Sequence, residues 1–187
     1  MNIRMTSKEA DLFMAFLAPA RSYFEFGMGG STVAAAKTVP GPLHAVESDE
    51  AWIAKVAETI GDSTAERKFI YVDIGPTKKW GFPTSEEHRD RFPSYSGAIA
   101  ESGIDDFELC LVDGRFRVAC FLQALRHLRP GCVIGIHDYR SRPKYHVVEK
   151  FGRIVAEAED LSFFVHRPDL DRAALQVALD RYLYSPN

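Results

Sequence analysis

The sequence is poor in cysteine, with three in 187 residues: Cys110, Cys120 and Cys132. An odd number without paired spacing argues against a disulfide framework or a zinc site and reads as reduced thiols of the interior. No apolar run approaches the ~20 residues of a membrane-spanning helix, and the first residues lack a signal-peptide pattern, so the expected location is the cytoplasm. Nor is there an excess of positive charge. With 23 Lys and Arg against 26 Asp and Glu, the formal net charge of -3 offers no general attraction to nucleic acid. Internal repeats, low-complexity tracts and linkers are missing too, so residues 1–187 are expected to form one domain. A chain of that length buries roughly 70% of the surface that its unfolded form exposes, enough for a core without metal or disulfide staples.

What the sequence does contain is an apolar run ending in a glycine turn: Tyr23-Phe24-Glu25-Phe26-Gly27-Met28-Gly29-Gly30-Ser31-Thr32, followed by the alanine-rich Val33-Ala34-Ala35-Ala36-Lys37. This reads as a strand, a turn and a helix start. Gly27 and Gly29 allow a ligand to approach the backbone, and Ser31 or Thr32 can cap the helix whose free N–H groups face the turn. Gly-x-Gly turns also end ordinary strands of α/β proteins, so the context has to decide. Leu43 to Glu47 forms a second strand, and Glu47 ends it about 20 positions after Gly27. In Rossmann-like sheets an acid at that spacing meets the ribose hydroxyls of a nucleotide ligand. Asp49 competes for that role, or it belongs to the first turn of the next helix, where the helix dipole favours a carboxylate.

The remaining chain keeps alternating. A first helix begins at Thr6 or Ser7, with Ala10, Phe13, Met14 and Leu17 as its stripe, and flanks the cleft. Strand three covers Lys68 to Ile74, with Asp73 near its end. Gly75 to Tyr95 is a long irregular stretch holding Trp80, Phe82 and Phe92, too long for a mere connector and too aromatic for disorder. A helix over Ser94 to Ser102 leads to Phe107–Val112, an apolar run of a strand buried on both faces, which delivers Asp113 and Gly114 to the sheet edge. Arg115 to Arg129 is helical. Cys132 to Asp138 is strand five and ends in the polar His137 and Asp138. A short helix, Tyr145 to Phe151, precedes two runs, Arg153–Ala158 and Leu161–His166, that suit an antiparallel hairpin. Asp169 to Tyr184 forms a last helix with Leu170, Ala173, Ala174, Val177 and Leu183 as inner positions. The expected fold class is α/β: a doubly wound, Rossmann-like sheet of about seven strands, mostly parallel, with an antiparallel C-terminal hairpin strand.

Glu25 stands two residues before Gly27, where a dinucleotide site carries an apolar residue, and Thr32 replaces the third glycine of the Gly-x-Gly-x-x-Gly fingerprint. A pyrophosphate is therefore a poor ligand, whereas an acid beside a glycine turn suits an amino group. On Glu25, Gly27 and Gly29 the sequence resembles the class I S-adenosylmethionine-dependent methyltransferases, with Ser31 in place of a frequent further glycine. The resemblance spans roughly residues 20–167, between flanking N- and C-terminal helices. It implies S-adenosylmethionine as cofactor, held by Glu25, Gly27, Gly29, Gly30, Ser31, Thr32, Glu47, Ser48, Asp73 and Asp113.

For catalysis the resemblance points to Asp113, His137 and Asp138, on the far side of the first strand. Their positions are similar to those of the metal-binding acids of catechol-type and macrolide-sugar O-methyltransferases. A third carboxylate or amide is lacking, so a divalent metal stays open. Asp113 can equally cap the following helix or order the turn at Gly114, and His137 can be a core histidine. Neighbours in a strand face opposite ways, so His137 and Asp138 share the cleft only if the strand has ended. Lys78, Lys79, Arg115, Arg117, Arg140, Arg142 and Lys144 border the same edge, as a solvated rim or as attraction for an anionic substrate. Asp113-Gly114-Arg115-Phe116 stands where amino-methylating DNA enzymes carry Asn-Pro-Pro-Tyr or Asp-Pro-Pro-Tyr, which disfavours base methylation. The resulting expectation is methyl transfer to a small molecule, at oxygen, without a nucleic-acid or membrane partner. The alternatives are a protein that binds S-adenosylmethionine or S-adenosylhomocysteine without transfer, and a nicotinamide-dependent oxidoreductase. Against the last stand Glu25 and the lack of a Tyr-x-x-x-Lys pair.

Overall fold

In the computed structural model, which describes residues 1–62 and 64–186, strands alternate with helices. α1 (Ser7–Leu17) precedes β1 (Tyr23–Phe26), α2 (Gly30–Thr38), β2 (Leu43–Glu47), α3 (Glu50–Ile60) and β3 (Arg67–Tyr71). A small ribbon of β4 (Thr77–Lys78) and β5 (Phe82–Pro83) follows, then α4 (Phe92–Gly97), β6 (Leu109–Val112), α5 (Arg117–His127) and β7 (Val133–Ile136). β8 (Gly152–Ala158), β9 (Leu161–His166) and α6 (Arg172–Tyr182) complete the chain.

Seven strands form one sheet in the order β3-β2-β1-β6-β7-β9-β8. β9 runs antiparallel to both its neighbours, and all other pairs are parallel. This is the expected doubly wound, Rossmann-like arrangement. From β1 the chain proceeds to β2 on one side and later to β6 on the other, so the crevice where the order reverses opens at the carboxyl ends of β1 and β6.

Alternation along the strands sorts the core into two layers. Tyr23, Leu43, Ala45, Leu109 and Leu111 pack with Phe13, Val33 and Val56 of α1, α2 and α3. Phe24, Phe26, Val46, Cys110 and Val112 pack with Tyr95, Phe121 and Leu179 of α4, α5 and α6. Glu25 shares the face of Tyr23 and is fully buried beneath α2. All four positions of β6 are buried, as the apolar run predicts. The three cysteines are free and buried. No helix among the described residues is long and apolar enough to cross a membrane.

Several local expectations change. The stretch after β3 is not irregular throughout, because β4 and β5 pair within it. α4 starts at Phe92, with Pro93 in its first turn, and ends at Gly97, before a separate 3-10 turn over Ala100–Ser102. Around α6, Leu170 and Leu183 pack on the core as expected, but the buried positions within the helix are Leu175 and Leu179, four apart, while Ala173 and Ala174 are exposed and Val177 is 71% exposed. Asp171 caps that helix by accepting from Ala173 and Ala174 N–H, both at 2.9 Å.

Candidate active site

The turn after β1 is built from backbone. Gly27 has φ +92°, and a Cβ there would lie 2.5 Å from the Gly114 Cα, so the turns ending β1 and β6 lie back to back. A Cβ on Gly29 would meet nothing within 4 Å, so this glycine fronts open space. Gly30 lies against the backbone of Asn2, which brings the first residues of the chain over the turn. Ser31 and Thr32 do not occupy the cap position of α2. The Gly29 N–H donates to Thr32 Oγ1 at 2.8 Å, and both hydroxyls donate to Glu25, Thr32 at 2.7 Å. The Glu25 carboxyl therefore lies under the first turn of α2 and does not line the cleft. Burial pushes its pKa up to about 8 in spite of the two hydroxyl donors.

Glu47 does line the cleft and ties β2 to the glycine turn. It accepts from Met28 N–H at 3.2 Å and from the N–H and hydroxyl of Ser48 at 2.6 and 3.2 Å. Burial raises its pKa above the ordinary carboxylate value against these bonds. Asp49 caps α3 by accepting from Trp52 N–H at 3.0 Å, yet it also borders the cleft. Trp52 Nε1 donates to Met28 O at 2.8 Å and so braces the same turn. Asp73 lies beyond β3, accepts from Gly75 N–H at 2.8 Å and pairs with Arg91. With Ser48 it borders a neighbouring, shallower hollow of ≈ 490 Å³.

At the other end of the cleft the sheet delivers Asp113, His137 and Asp138 together. β7 ends at Ile136 and Asp138 adopts φ +56°, which is how consecutive residues come to line one cleft. His137 Nδ1 is 3.0 Å from Asp113 Oδ1, and its Nε2 is 3.5 Å from Glu9 Oε2. Burial lowers the pKa of His137, but the bond to Asp113 and the charges of Asp113 and Asp138 prevail and hold it above the usual value. Burial likewise opposes ionisation of Asp113, but Arg117 and His137 outweigh it and keep that carboxyl below its ordinary range. Arg117 Nη2 lies 3.1 Å from Asp113 Oδ1 and 3.0 Å from Asp138 Oδ2. Arg142 also binds Asp138, at 2.8 Å.

Sequence reasoning missed Glu9 and left the burial of two arginines unforeseen. Glu9 is 3% exposed and accepts from Thr6 N–H at 2.8 Å in a capping box, and from Asp160 N–H at 2.8 Å. Its spacing from Thr6 announces the cap, but nothing local announces His137. Arg115 and Arg117, read as rim, are 6% and 3% exposed. The Arg115 guanidinium lies 4.0 Å over the Phe82 ring, which places β5 against the cleft. The ribbon contributes Trp80 to the cleft as well, 57% exposed and 4.6 Å from the Arg4 guanidinium.

Asp113, His137 and Asp138 offer ligand atoms within 4.8 Å of one another. They do not fit a divalent cation. The Arg117 guanidinium already bridges the two carboxylates, and His137 faces a carboxylate with each ring nitrogen, so both the metal's place and its imidazole ligand are taken.

A methyltransferase-like protein from Silicibacter pomeroyi DSS-3 is 32% identical, with 99% of this chain and 98% of that chain covered and a TM-score of 0.87. The chain belongs to the class I S-adenosylmethionine-dependent methyltransferase superfamily. Two more distant members share the fold. The N-methyltransferase NodS from Bradyrhizobium japonicum WM9 is 12% identical over 88% of this chain and 99% of its own, with a TM-score of 0.53. An RNA methyltransferase from Salinibacter ruber, in complex with S-adenosylhomocysteine, is 16% identical over 91% and 97%, also with a TM-score of 0.53. No protein-family model and no curated protein matches the chain. The cofactor of this methyltransferase superfamily is S-adenosylmethionine, and the cleft suits it: ≈ 1280 Å³, an open approach to Gly29, and the carboxylate of Glu47 beside the turn.

Proposed function

We propose that this methyltransferase moves the methyl group to an oxygen of a small molecule. The observation that carries this reading is that one cleft joins Glu47 and the glycine turn to the Asp113–His137 pair across the switch point of the sheet. Bound S-adenosylmethionine supplies a methyl group on a sulfonium; the acceptor oxygen gains that methyl, S-adenosylhomocysteine leaves, and the hydroxyl proton passes to a base or to water.

The residues of the chain divide the remaining work. Gly27 and Gly29 leave the backbone accessible, with Gly30 beneath the N-terminal segment, and Glu47 accepts hydrogen bonds from the ribose. Ser48, Asp49 and Asp73 border the nucleoside end. Glu25 acts through Ser31 and Thr32, as the prop of the turn that receives the cofactor's amino group. Asp113 is the carboxylate that orients the acceptor hydroxyl and takes its proton. His137 positions Asp113, while Asp138 holds Arg117 and Arg142 in place. Lowering the pKa of Asp113 makes it a weak base, so most of the rate comes from alignment and exclusion of water. The ribbon and the first residues narrow the cleft, and the protein's net charge is -3, which favours a small acceptor over RNA.

The low basicity of Asp113 favours one second reading, a protein that holds the cofactor or its product without transfer. Calorimetry with S-adenosylhomocysteine, with NAD as control, tests the shared part. Transfer of labelled methyl from S-adenosylmethionine to a panel of hydroxylated acceptors separates the two. Cofactor binding without any labelled product discards the enzyme reading.

A further inference from the structure

Of the two buried arginines at the cleft, Arg117 pairs with two carboxylates and Arg115 with none among the described residues. Arg115 Nε and Nη1 are buried without a hydrogen-bond partner. Removing a guanidinium from water without giving it an acceptor is strongly unfavourable, and the chain gives these two nitrogens no acceptor. Its surroundings make matters worse: burial, then the charge of Arg117, then that of Arg142 oppose its ionisation, and only the phenols of Tyr95 and Tyr145 act the other way. A side chain kept in that state awaits an anion.

The geometry narrows the anion's kind. Phe82 covers one face of the guanidinium, so its donors are presented along the plane of the fork, the arrangement that accepts a carboxylate through two parallel N–H···O bonds. Arg117 and Arg142 are already paired with Asp113 and Asp138, which leaves Arg115 as the buried arginine of the cleft without a carboxylate among the described residues; Arg4, Lys78 and Lys79 also line the cleft but are exposed. A carboxylate brings one negative charge. A phosphate dianion brings a second one, for which the described residues offer only exposed cations such as Lys78 and Lys79.

We infer that Arg115 binds a carboxylate of the methyl acceptor, so that the substrates are small hydroxy acids. This rests on the methyl-transfer reading above. It also explains why a basic residue stands beside the acidic Asp113: the acid meets the hydroxyl, the arginine the carboxylate.

The test uses the full chain loaded with S-adenosylhomocysteine and titrated by calorimetry with benzoate and with benzamide, its neutral isostere. Benzoate is expected to bind at least tenfold more tightly than benzamide. Arg115→Met should weaken benzoate roughly ten- to a hundredfold while leaving S-adenosylhomocysteine affinity within about twofold, with Arg115→Lys in between. If Arg115→Met does not fold, the benzoate–benzamide ratio of the wild type and the Lys variant decide. Equal binding of benzoate and benzamide overturns the inference, and tighter binding of inorganic phosphate overturns the choice of a carboxylate. So does a variant that loses S-adenosylhomocysteine: if 5′-methylthioadenosine still binds, Arg115 reads the cofactor's own carboxylate, and if it does not, Arg115 serves the nucleoside. A wild type that binds no S-adenosylhomocysteine defeats the methyl-transfer reading instead, and the benzoate–benzamide ratio of the free protein still judges Arg115.

Discussion

Gly27 and Gly114 touch through their backbones, the N–H of Gly27 lying 2.9 Å from where a Cβ on Gly114 would be. The two halves of the sheet thus meet at the cleft with no side chain between them. Gly27→Ala combines that collision with a left-handed φ of +92°, a strain of about 1–3 kcal/mol before any clash. Urea denaturation should register at least that loss, and S-adenosylhomocysteine binding should fall with it. A variant as stable as the wild type would mean that the turns can separate freely.

Glu47 stands where one charged acceptor meets a ligand hydroxyl. Losing it should cost about 1.5–3 kcal/mol, roughly ten- to a hundredfold in affinity for S-adenosylhomocysteine. Calorimetry on Glu47→Ala measures this directly, and circular dichroism checks that the fold survives. Unchanged affinity would transfer the ribose contact to Asp49.

Asp113 should behave differently. Asp113→Asn is expected to leave cofactor affinity nearly intact while removing most turnover, because it lies across β1 from Glu47. Since Arg117 fills the space between Asp113 and Asp138, chelators should leave the rate unchanged. Full activity of Asp113→Asn would leave alignment as the sole source of rate, and inhibition by chelation would mean that Arg117 yields to a metal.

The buried Glu25 gives stability an unusual pH dependence. Its pKa rises from 4.5 to about 8 through burial, so between those values the folded chain keeps a proton that the unfolded chain has released. Its contribution is complete below the unfolded value, declines as pH rises, and levels off above about 8. Glu25→Gln should remove that slope and match or exceed the wild type in urea near pH 8. Parallel curves for the two proteins would show that Glu25 ionises as readily in the fold as outside it.

The segment 75–95 should gain protection from hydrogen exchange when cofactor and acceptor bind, above all in Lys78–Phe82, which faces the cleft. Phe92 and Tyr95 are 1% exposed and belong to the core, so protection there should change little. Equal protection throughout, free and bound, would make the ribbon a fixed wall.

Much of this was legible from residue type and spacing. Continuous apolar runs announced β6 and β7, the glycines announced the turn, and the distance from Gly27 brought Glu47 to the cleft. Contacts across long sequence separations were not. Glu9 reads as half of a capping box, and only the packing of α1 against β8, with Asp160 N–H donating to Glu9, carries it to His137. An arginine following a strand looks solvated in sequence; burial of Arg115 depends on Phe82, which reaches it through a ribbon too short to have a readable period. The inner stripe of α6 was only partly placed: Leu170 and Leu183 do pack on the core, but Ala173, Ala174 and Val177 are apolar and exposed, and the contact is made by Leu175 and Leu179.

The chain contains two tryptophans, Trp52 and Trp80, and both border the cleft from different elements. One is half-buried against the glycine turn through Met28, whereas the other is 57% exposed on the ribbon. The protein is in effect its own optical sensor. Occupancy near the turn and closure of the ribbon fall on separate indoles, so replacing either one with phenylalanine would resolve the two events by intrinsic emission alone, without a label.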